Sequence, residues 1–410
     1  MTMHTSTYRK PYRGFLTALA LASLMSLGAQ AGESEQMLEQ NHTLLIGTYT
    51  DDQLYLPSNT YQETGHSKGV YRVQLDAQGK FTVKSTTPVV SPSWLVVGPK
   101  GHYVYATNEA SGHSPGQVSA LMVDPDSGVL HLINQRPSHG WQPAHAALSP
   151  DGRYLLVANY SVDAGHSGVS VFPIADNGAL EEMTQYLGYE GGSGGVADRQ
   201  ASSHAHSVNF SPDGTQVFVA DLGADRLYAY RYRPEADKPL IEDDAATVEF
   251  QKGSGPRHMV FDESGEHAYV VTEMGARVHL FDYQKGRLEQ RKSWALTAAQ
   301  DQDAKAGGGL GLSPDGQFLY VSNRGTRNEI VAYRVDAEDG SLSEVGHTSV
   351  NGKEPRALLV GSDHVLVTNQ HSNQVVEFAR NAKTGALRAT GHVLDIASPS
   401  DVKRLSKNED

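Results

Sequence analysis

The sequence predicts an all-β fold, a seven-bladed β-propeller of four-stranded antiparallel blades, and three observations indicate it. A turn tetrad recurs at steps near fifty residues. The segments around each copy alternate between apolar and polar residues as β-strands do. The two ends of the chain each carry part of one further blade.

The turn tetrad gives the blade its length. It occurs as GPKG at 98–101, as SPDG at 149–152, 211–214 and 313–316, as DESG at 262–265, and more weakly as GSDH at 361–364. Successive copies are 51, 62, 51, 51 and 48 residues apart. Pro presets φ, Asp bonds to nearby backbone and Gly adopts positive φ, so each copy predicts a tight turn. A period near fifty residues is typical of a four-stranded propeller blade.

Each tetrad lies between two predicted strands. HSVNF (206–210) precedes one copy and VFVAD (217–221) follows it, and LYAYRY (227–232) supplies a third strand. A G-x-L turn, as in NGAL (177–180), then leads to the fourth. β-branched and aromatic residues with Gly, Asp and Pro turns predict antiparallel hairpins. Six such blades account for about 91–390.

The seventh blade is predicted to combine both ends of the chain. HTLLIGTYT (42–50) resembles a second strand without its first, and SPSDVKRL (398–405) resembles a first strand without its second. Pairing them closes the ring and removes the open sheet edges. The propeller domain is therefore expected to span 42–405.

The first 31 residues have the pattern of a secretory signal peptide. Arg9, Lys10 and Arg13 precede an apolar stretch at 15–27, and Ala29-Gln30-Ala31 offers a cleavage site after Ala31. A periplasmic or secreted location follows, with 32–41 as a linker and 406–410 as a tail. An uncleaved anchor helix is the alternative. The absence of Cys excludes a lipoprotein and disulfide bonds.

The charge of the chain excludes some partners. Removing residues 1–31 takes the formal net charge from −13 to −16. A chain this acidic does not hold nucleic acid or an anionic membrane by counterion release, so neither is expected as a partner. An anionic substrate would need a local cluster of cationic side chains. The sequence does not specify an oligomeric state.

Propeller geometry predicts where chemistry takes place. The start of each first strand lies beside the end of the second, on the face opposite the tetrads, so polar groups there should converge on one channel mouth. The first strands begin with or near His145, His204, His206, Arg257, His258 and Arg356. The second strands end with or near Glu109, Asp221, Glu273, Asn323, Arg324 and Gln370. Opposite charges in such a mouth can shift pKa values and act on a substrate, whereas Asn at these turns can instead cap backbone groups.

Four segments carry a family resemblance. SSHAHSVNFSPDG (202–214), ADLGADRLYAY (220–230), GPRHMVF (255–261) and SNRG (322–325) resemble the lactonase-family propeller. That family includes propeller-type bacterial 6-phosphogluconolactonases and fungal carboxymuconate lactonizing enzymes. The resemblance covers 47–401 and implies an enzyme that opens or makes lactone rings without a metal. The signal peptide and the longer loops at 51–68 and 186–203 depart from cytosolic members.

The resemblance also assigns catalytic residues. The family's His–Arg–Glu–Arg set matches His206, Arg257, Glu273 and Arg324. In this interpretation His206 activates water, and Glu273 orients His206 or replaces it. One of the two arginines stabilises the oxyanion, and the other binds a substrate carboxylate or phosphate. The residues expected to bind substrate are Glu109, His145, His204, Asp221, His258, Asn323, Arg356 and Gln370.

Several functions are compatible with these residues. His204-x-His206 could bind zinc only with a third ligand from another blade, so neither a metal nor a cofactor is predicted. The leading hypothesis is hydrolysis of a sugar-acid lactone, 6-phosphogluconolactonase-like, and export favours an unphosphorylated aldonolactone. The alternatives are a carboxymuconate-type cycloisomerase and a non-catalytic secreted propeller that binds a protein or glycan.

Overall fold

A computed structural model describes residues 1, 42–50, 67–110, 115–298, 301 and 305–405. It confirms seven antiparallel blades of four strands, with one extra short strand in the fourth. The predicted signal peptide beyond Met1, the linker 32–41, most of the 51–68 loop and the tail 406–410 lie outside the described residues. Within the described ranges no helix has the length and apolarity needed to cross a membrane.

The first blade is formed by both ends of the chain, as predicted. Its strands, from the channel outward, are β29 (Pro399–Arg404), β1 (His42–Thr48), β2 (Val70–Leu75) and β3 (Phe81–Thr87). The inner strand β29 pairs antiparallel with β1, where Leu44 lies opposite Arg404. This pairing joins the C-terminal strand to the N-terminal hairpin and closes the ring.

The other six blades follow in sequence order, each with its first strand at the channel. Blade 2 contains β4 (Pro92–Val97), β5 (Tyr103–Asn108), β6 (Gln117–Val123) and β7 (Leu130–Pro137). Blade 3 contains β8 (Pro143–Leu148), β9 (Tyr154–Asn159), β10 (Ser167–Pro173) and β11 (Gln185–Tyr189). Blade 4 contains β12 (Ala205–Phe210), β13 (Gln216–Asp221), β14 (Arg226–Tyr232) and a divided outer strand, β15 (Leu240–Glu242) and β16 (Val248–Glu249).

Blades 5 to 7 repeat the same arrangement. Blade 5 contains β17 (Pro256–Phe261), β18 (His267–Thr272), β19 (Arg277–Gln284) and β20 (Arg287–Ala295). Blade 6 contains β21 (Gly307–Leu312), β22 (Phe318–Asn323), β23 (Glu329–Val335) and β24 (Leu342–Ser349). Blade 7 contains β25 (Pro355–Val360), β26 (His364–Asn369), β27 (Gln374–Arg380) and β28 (Leu387–Asp395). Single 3-10 turns occupy Pro99–Gly101, Asp244–Ala246 and Gln370–Ser372.

The core is distributed between the blades. Seven apolar clusters are present in the described residues, and each fills the space between two neighbouring blades. The cluster between blades 7 and 1, for example, packs Leu366 and Val375 against Leu44 and Val402. Because each blade packs against a neighbour on both faces, its second strand is buried on both sides of the sheet, as in β9 and β13, whereas the outer strands β7 and β20 are largely exposed.

The tetrads lie on the face opposite the candidate site, and they also connect blades. In the three SPDG copies the Ser hydroxyl donates to the Asp carboxylate, as from Ser149 to Asp151 at 2.6 Å. The same Asp accepts a bond from the third strand of the next blade. Tyr232 donates to Asp151 at 3.0 Å, and Arg380 donates to Asp315 at 2.7 Å. The tetrad therefore shapes a turn and holds two blades together.

Candidate active site

The first-strand starts and second-strand ends meet at one mouth, as the sequence predicts. Pro143 lies opposite Asn159, Ala205 opposite Asp221, and the equivalent pairs recur in the other blades. The residue that follows a second strand adds one more hydrogen bond to the pairing with the first strand. The Glu273 N–H donates to the Gly255 carbonyl at 2.7 Å. Side chains about fifty residues apart thus reach the same rim.

A β-bulge near the start of each inner strand aims side chains into this mouth. The register shifts at the same place in all seven blades, leaving residues of the inner strand without an opposite partner. Bulges of this kind redirect a side chain beside an active site. In blade 6 the bulge covers Gly308 and Gly309. In blades 1 to 7 the bulge positions carry, in order, Ser400, Ser93, Ala144, His206, Arg257, Gly308 and Arg356.

Glu273 lies at the centre of the charged groups. Its Oε1 accepts from Arg199 Nη2 at 2.5 Å, and its Oε2 is 3.1 Å from Arg257 Nε and 2.6 Å from Arg324 Nη2. The carboxylate is 7% exposed. Burial alone would raise the pKa of Glu273, but the three guanidiniums hold that pKa well below its usual value. Glu273 is therefore an ionised anchor for three arginines.

Arg257 is the most deeply buried of these cations, at 1% exposure. Burial, and then repulsion from Arg324 and Arg356, lowers the pKa of Arg257 to about 9. Its Nη1 donates to the Gly308 carbonyl at 3.1 Å and lies 3.3 Å from Nε2 of His258. The guanidinium is therefore fixed by contacts from two blades.

Arg324 and Arg356 each pair with a carboxylate other than Glu273. Arg324 Nη1 donates to Glu354 at 2.7 Å, and Arg324 Nε has no hydrogen-bond partner among the described residues. Arg356 Nη2 lies 3.7 Å from Glu109. Arg356 also stacks over the Tyr49 ring, at 5.1 Å from the ring centroid. These pairs form a cationic rim around the mouth.

Imidazoles and an indole fill the channel beside the arginines. The ring of His258 lies 5.1 Å from that of His206, 5.5 Å from His145 and 5.2 Å from Trp94. Lys403 Nζ lies over the Trp94 ring at 3.7 Å from its centroid. This aromatic layer supports the mouth from the channel side.

His206 has the properties of a neutral base. It is 5% exposed, and its Nδ1 has no hydrogen-bond partner in the part of the chain that the structure describes. Burial, and then the charge of Arg257, holds the pKa of His206 well below its usual value, although Glu273 opposes this shift. The imidazole is therefore uncharged at pH 7.

Two of the predicted substrate-binding side chains, Asp221 and Asn323, accept hydrogen bonds from the backbone of neighbouring loops. Asp221 accepts backbone N–H bonds from His204, Gly223 and Ala224 at 2.8–3.0 Å, and a further bond from Ser203. Asn323 accepts from the Ala306 N–H at 3.3 Å. Both side chains therefore shape the loops around the site.

His204 and Gln370 have different surroundings. The ring of His204 stacks on Tyr160, with Nδ1 2.5 Å from the Ser161 carbonyl oxygen. Gln370 is 1% exposed, and its Nε2 has no partner among the described residues. Its backbone N–H donates to the Glu354 carbonyl at 3.0 Å, which places it beside the arginine rim.

Sequence reasoning missed several residues of this cluster. Arg199 lies in the connection between β11 and β12, where no repeat position identifies it. Tyr160 directly follows β9, at the repeat position of Glu273 and Arg324, and could have been found. Glu354 immediately precedes β25, and Tyr49 directly follows β1, so both occupy repeat positions that could have found them. The 186–203 segment is also shorter as a loop than expected, because residues 186–189 pair with β10.

The donor set gives no indication of a metal centre. Within the described ranges no group of three or more His, Asp or Glu side chains is arranged to bind a metal ion. The imidazoles of His206 and His258 instead lie beside guanidinium groups, whose charge opposes a second cation.

Comparison with known proteins identifies the family. The model for the family described as "Lactonase, 7-bladed beta-propeller" matches residues 43–404. The chain belongs to the lactonase family. A lactonase-family relative named 6-phosphogluconolactonase, from Formosa agariphila, is 30% identical over 356 residues, covering 86% of this chain and 99% of the relative.

Other lactonase-family proteins match over similar lengths. A 6-phosphogluconolactonase of Bacillus subtilis is 29% identical and covers 88% of this chain and 97% of its own length. The solved structure of a periplasmic gluconolactonase from Pseudomonas aeruginosa is similar at a TM-score of 0.82 and 36% identity, covering 90% of this chain and 100% of the other. The lactonase-family fold and enzyme class predicted from the motifs are confirmed.

Proposed function

We propose that this lactonase-family protein hydrolyses an unphosphorylated sugar-acid lactone, without a metal ion, in the periplasm or outside the cell. One observation carries the proposal. The imidazole of His206 packs against His258, whose Nε2 lies 3.3 Å from Arg257, one of the three guanidiniums held by the buried carboxylate of Glu273. A base that activates water and cations that stabilise an oxyanion are the two requirements of lactone hydrolysis.

The reaction begins with water activated by His206. With its proton on Nε2, the imidazole accepts a proton from water at Nδ1, while the water oxygen bonds to the lactone carbonyl carbon. The ring C–O bond then breaks, and the imidazolium returns its proton to the departing ring oxygen. The product is an aldonic acid, which ionises at pH 7.

Arg324 stabilises the tetrahedral oxyanion. Its Nε is buried and has no partner among the described residues, whereas Nη1 and Nη2 are held by Glu354 and Glu273. A donor fixed in this way needs little reorganisation when charge develops, which is the condition for electrostatic catalysis. Glu273 acts by holding the guanidiniums, because both of its carboxylate oxygens are paired with them.

The arginine rim favours a substrate without charge. The described groups in direct contact are four guanidiniums and three carboxylates, those of Glu109, Glu273 and Glu354. This set matches the single negative charge of an oxyanion. A phosphorylated lactone adds a phosphate, and a muconate adds two or three carboxylates, which exceed the one positive charge by which these four guanidiniums outnumber the three carboxylates. The gluconolactonase neighbour and the predicted signal peptide support the same substrate class.

A lactone panel tests the proposal. Purified mature chain, residues 32–410, is assayed in a pH-stat at pH 6.5 with glucono-1,5-lactone, its 6-phosphate and a carboxymuconate. We expect the highest kcat/KM on the unphosphorylated lactone. His206→Ala should lower that value 10²–10⁴-fold, the usual contribution of a general base. Activity should persist after incubation with EDTA and dialysis.

His131→Ala is the matched control, because His131 is an exposed imidazole on the outer strand β7. It should retain the wild-type kcat/KM. Equal activity of the His206→Ala variant and the control would contradict the assigned base. A preference for the 6-phosphate or the muconate would contradict the substrate class.

A further inference from the structure

We propose that Arg199 binds the carboxylate that ring opening creates, so that it recognises the product and the late stage of the reaction rather than the neutral lactone. This inference rests on the proposed lactone hydrolysis. Arg199 lies on the segment 190–204 that connects β11 to β12, and its Nη2 donates to Glu273 Oε1 at 2.5 Å. It is the cluster arginine that is supplied by a connection between blades.

The segment that carries Arg199 is held in place at several points. Ser193 N–H donates to the Gly223 carbonyl at 2.9 Å, and its hydroxyl donates to Asp225 at 2.7 Å. Gln200 Nε2 donates to the Leu222 carbonyl at 2.8 Å. Asp225 also accepts the Gly255 N–H at 2.6 Å, just before the strand that carries Arg257. These bonds position the guanidinium without a closing motion.

Arg199 is placed to bind an anion. Arg199, Arg257 and Arg324 share the carboxylates of Glu273 and Glu354, so this group has one more positive charge than it has carboxylates. Its Nε is buried and has no partner in the described part of the chain. Its side chain is 25% exposed, more than those of the other three cluster arginines. Arg199 therefore has an unpaired donor among the described residues and the most exposed side chain of the four arginines.

The position of Arg199 relative to His206 indicates which oxygen of the product carboxylate it contacts. Arg199 Nη2 lies 3.4 Å from the Tyr160 hydroxyl, and the Tyr160 ring packs edge to face with His206 at 5.5 Å. The new carboxylate has two oxygens, one from the carbonyl and one from water. Arg324, on the other oxygen of Glu273, meets the carbonyl oxygen, and Arg199 meets the oxygen delivered beside His206.

A comparison of Arg199→Gln, Arg199→Lys and the wild type tests this role. For glucono-1,5-lactone, Arg199→Gln should lower kcat about tenfold and leave KM within twofold, because the lactone is uncharged. The Kd of gluconate, measured by calorimetry, should rise at least tenfold. Arg199→Lys keeps the charge and should keep the gluconate Kd within about threefold of the wild type.

Arg226→Gln is the matched control, since Arg226 is an exposed arginine at the same end of blade 4, paired with Glu249. It should match the wild type in every measurement. Gluconate binding by Arg199→Gln equal to that of the control would overturn the inference, with lactonase activity intact. Gluconate binding that depends on Arg199 in a protein that hydrolyses no lactone would overturn the proposed function alone.

Discussion

Replacement of Glu273 by Gln should show how strongly the mouth depends on one buried charge. The Glu273 carboxylate forms ion pairs with three guanidiniums, and the residue is 7% exposed. Gln has nearly the same shape and can still accept one hydrogen bond, so the substitution removes charge and little volume. Arg257, at 1% exposure, would then be a buried cation without a counterion.

The expected cost follows from that arrangement. Removing one partner of a buried ion pair destabilises a protein by about 3–5 kcal/mol, because the other charge stays buried and uncompensated. The pKa of Arg257, already lowered to about 9 with Glu273 present, should fall further. The charge of Glu273 also raises the pKa of His206, so its loss should move the acid limb of the kcat/KM profile to lower pH.

Equilibrium unfolding in urea at pH 7 measures the stability change, and Glu377→Gln provides the comparison. Glu377 is 9% exposed, and its carboxylate lies 2.6 Å from Nδ1 of His392, whose side chain is 40% exposed. That change should cost under about 1 kcal/mol. If Glu273→Gln lost no more stability than Glu377→Gln, Glu273 would not hold the arginines in the way inferred.

Three other properties follow from the fold. Burial holds the pKa values of three histidines well below 6.5: His145, His206 and His258. The unfolded chain therefore takes up protons before the folded chain as the pH falls, and each histidine should lower the free energy of unfolding by up to about 1.4 kcal/mol per pH unit below pH 6.5. Urea unfolding from pH 7 to pH 5 measures this loss. Arg380→Met should remove the bond to Asp315, cost about 2–3 kcal/mol and leave KM unchanged, because it lies on the tetrad face. Deletion of β29 should abolish the cooperative unfolding transition seen by circular dichroism, because it opens the first blade; a normal transition would contradict closure by the two ends of the chain.

The repeat, the closure and the location of the mouth were predictable from the sequence because they depend on local signals. Turn chemistry marks every blade, and hairpin pairing then brings each first-strand start to the end of the second strand. This reasoning found His206, Arg257, Glu273 and Arg324 together, and the structure brings their side chains to one mouth.

The other features of the site depend on tertiary contacts that the spacing of the repeat does not predict. Arg199 reaches Glu273 from a connection between blades, and its position follows from the anchoring bonds of Ser193 and Gln200. A polar side chain at a repeat position can also form hydrogen bonds with its own loop, and the repeat does not show which of the two it does. Asp221 does so, because several backbone N–H groups around it need an acceptor.

The bulges of the inner strands have a consequence for how this molecule can change. A bulged residue takes no place in the hydrogen-bonded ladder, so exchanging its side chain leaves the pairing of the sheet intact. The bulge residues that line the mouth can therefore vary one blade at a time without a change in strand pairing. A new substrate range could therefore arise by substitutions at these bulges, with the strand order and the number of blades unchanged.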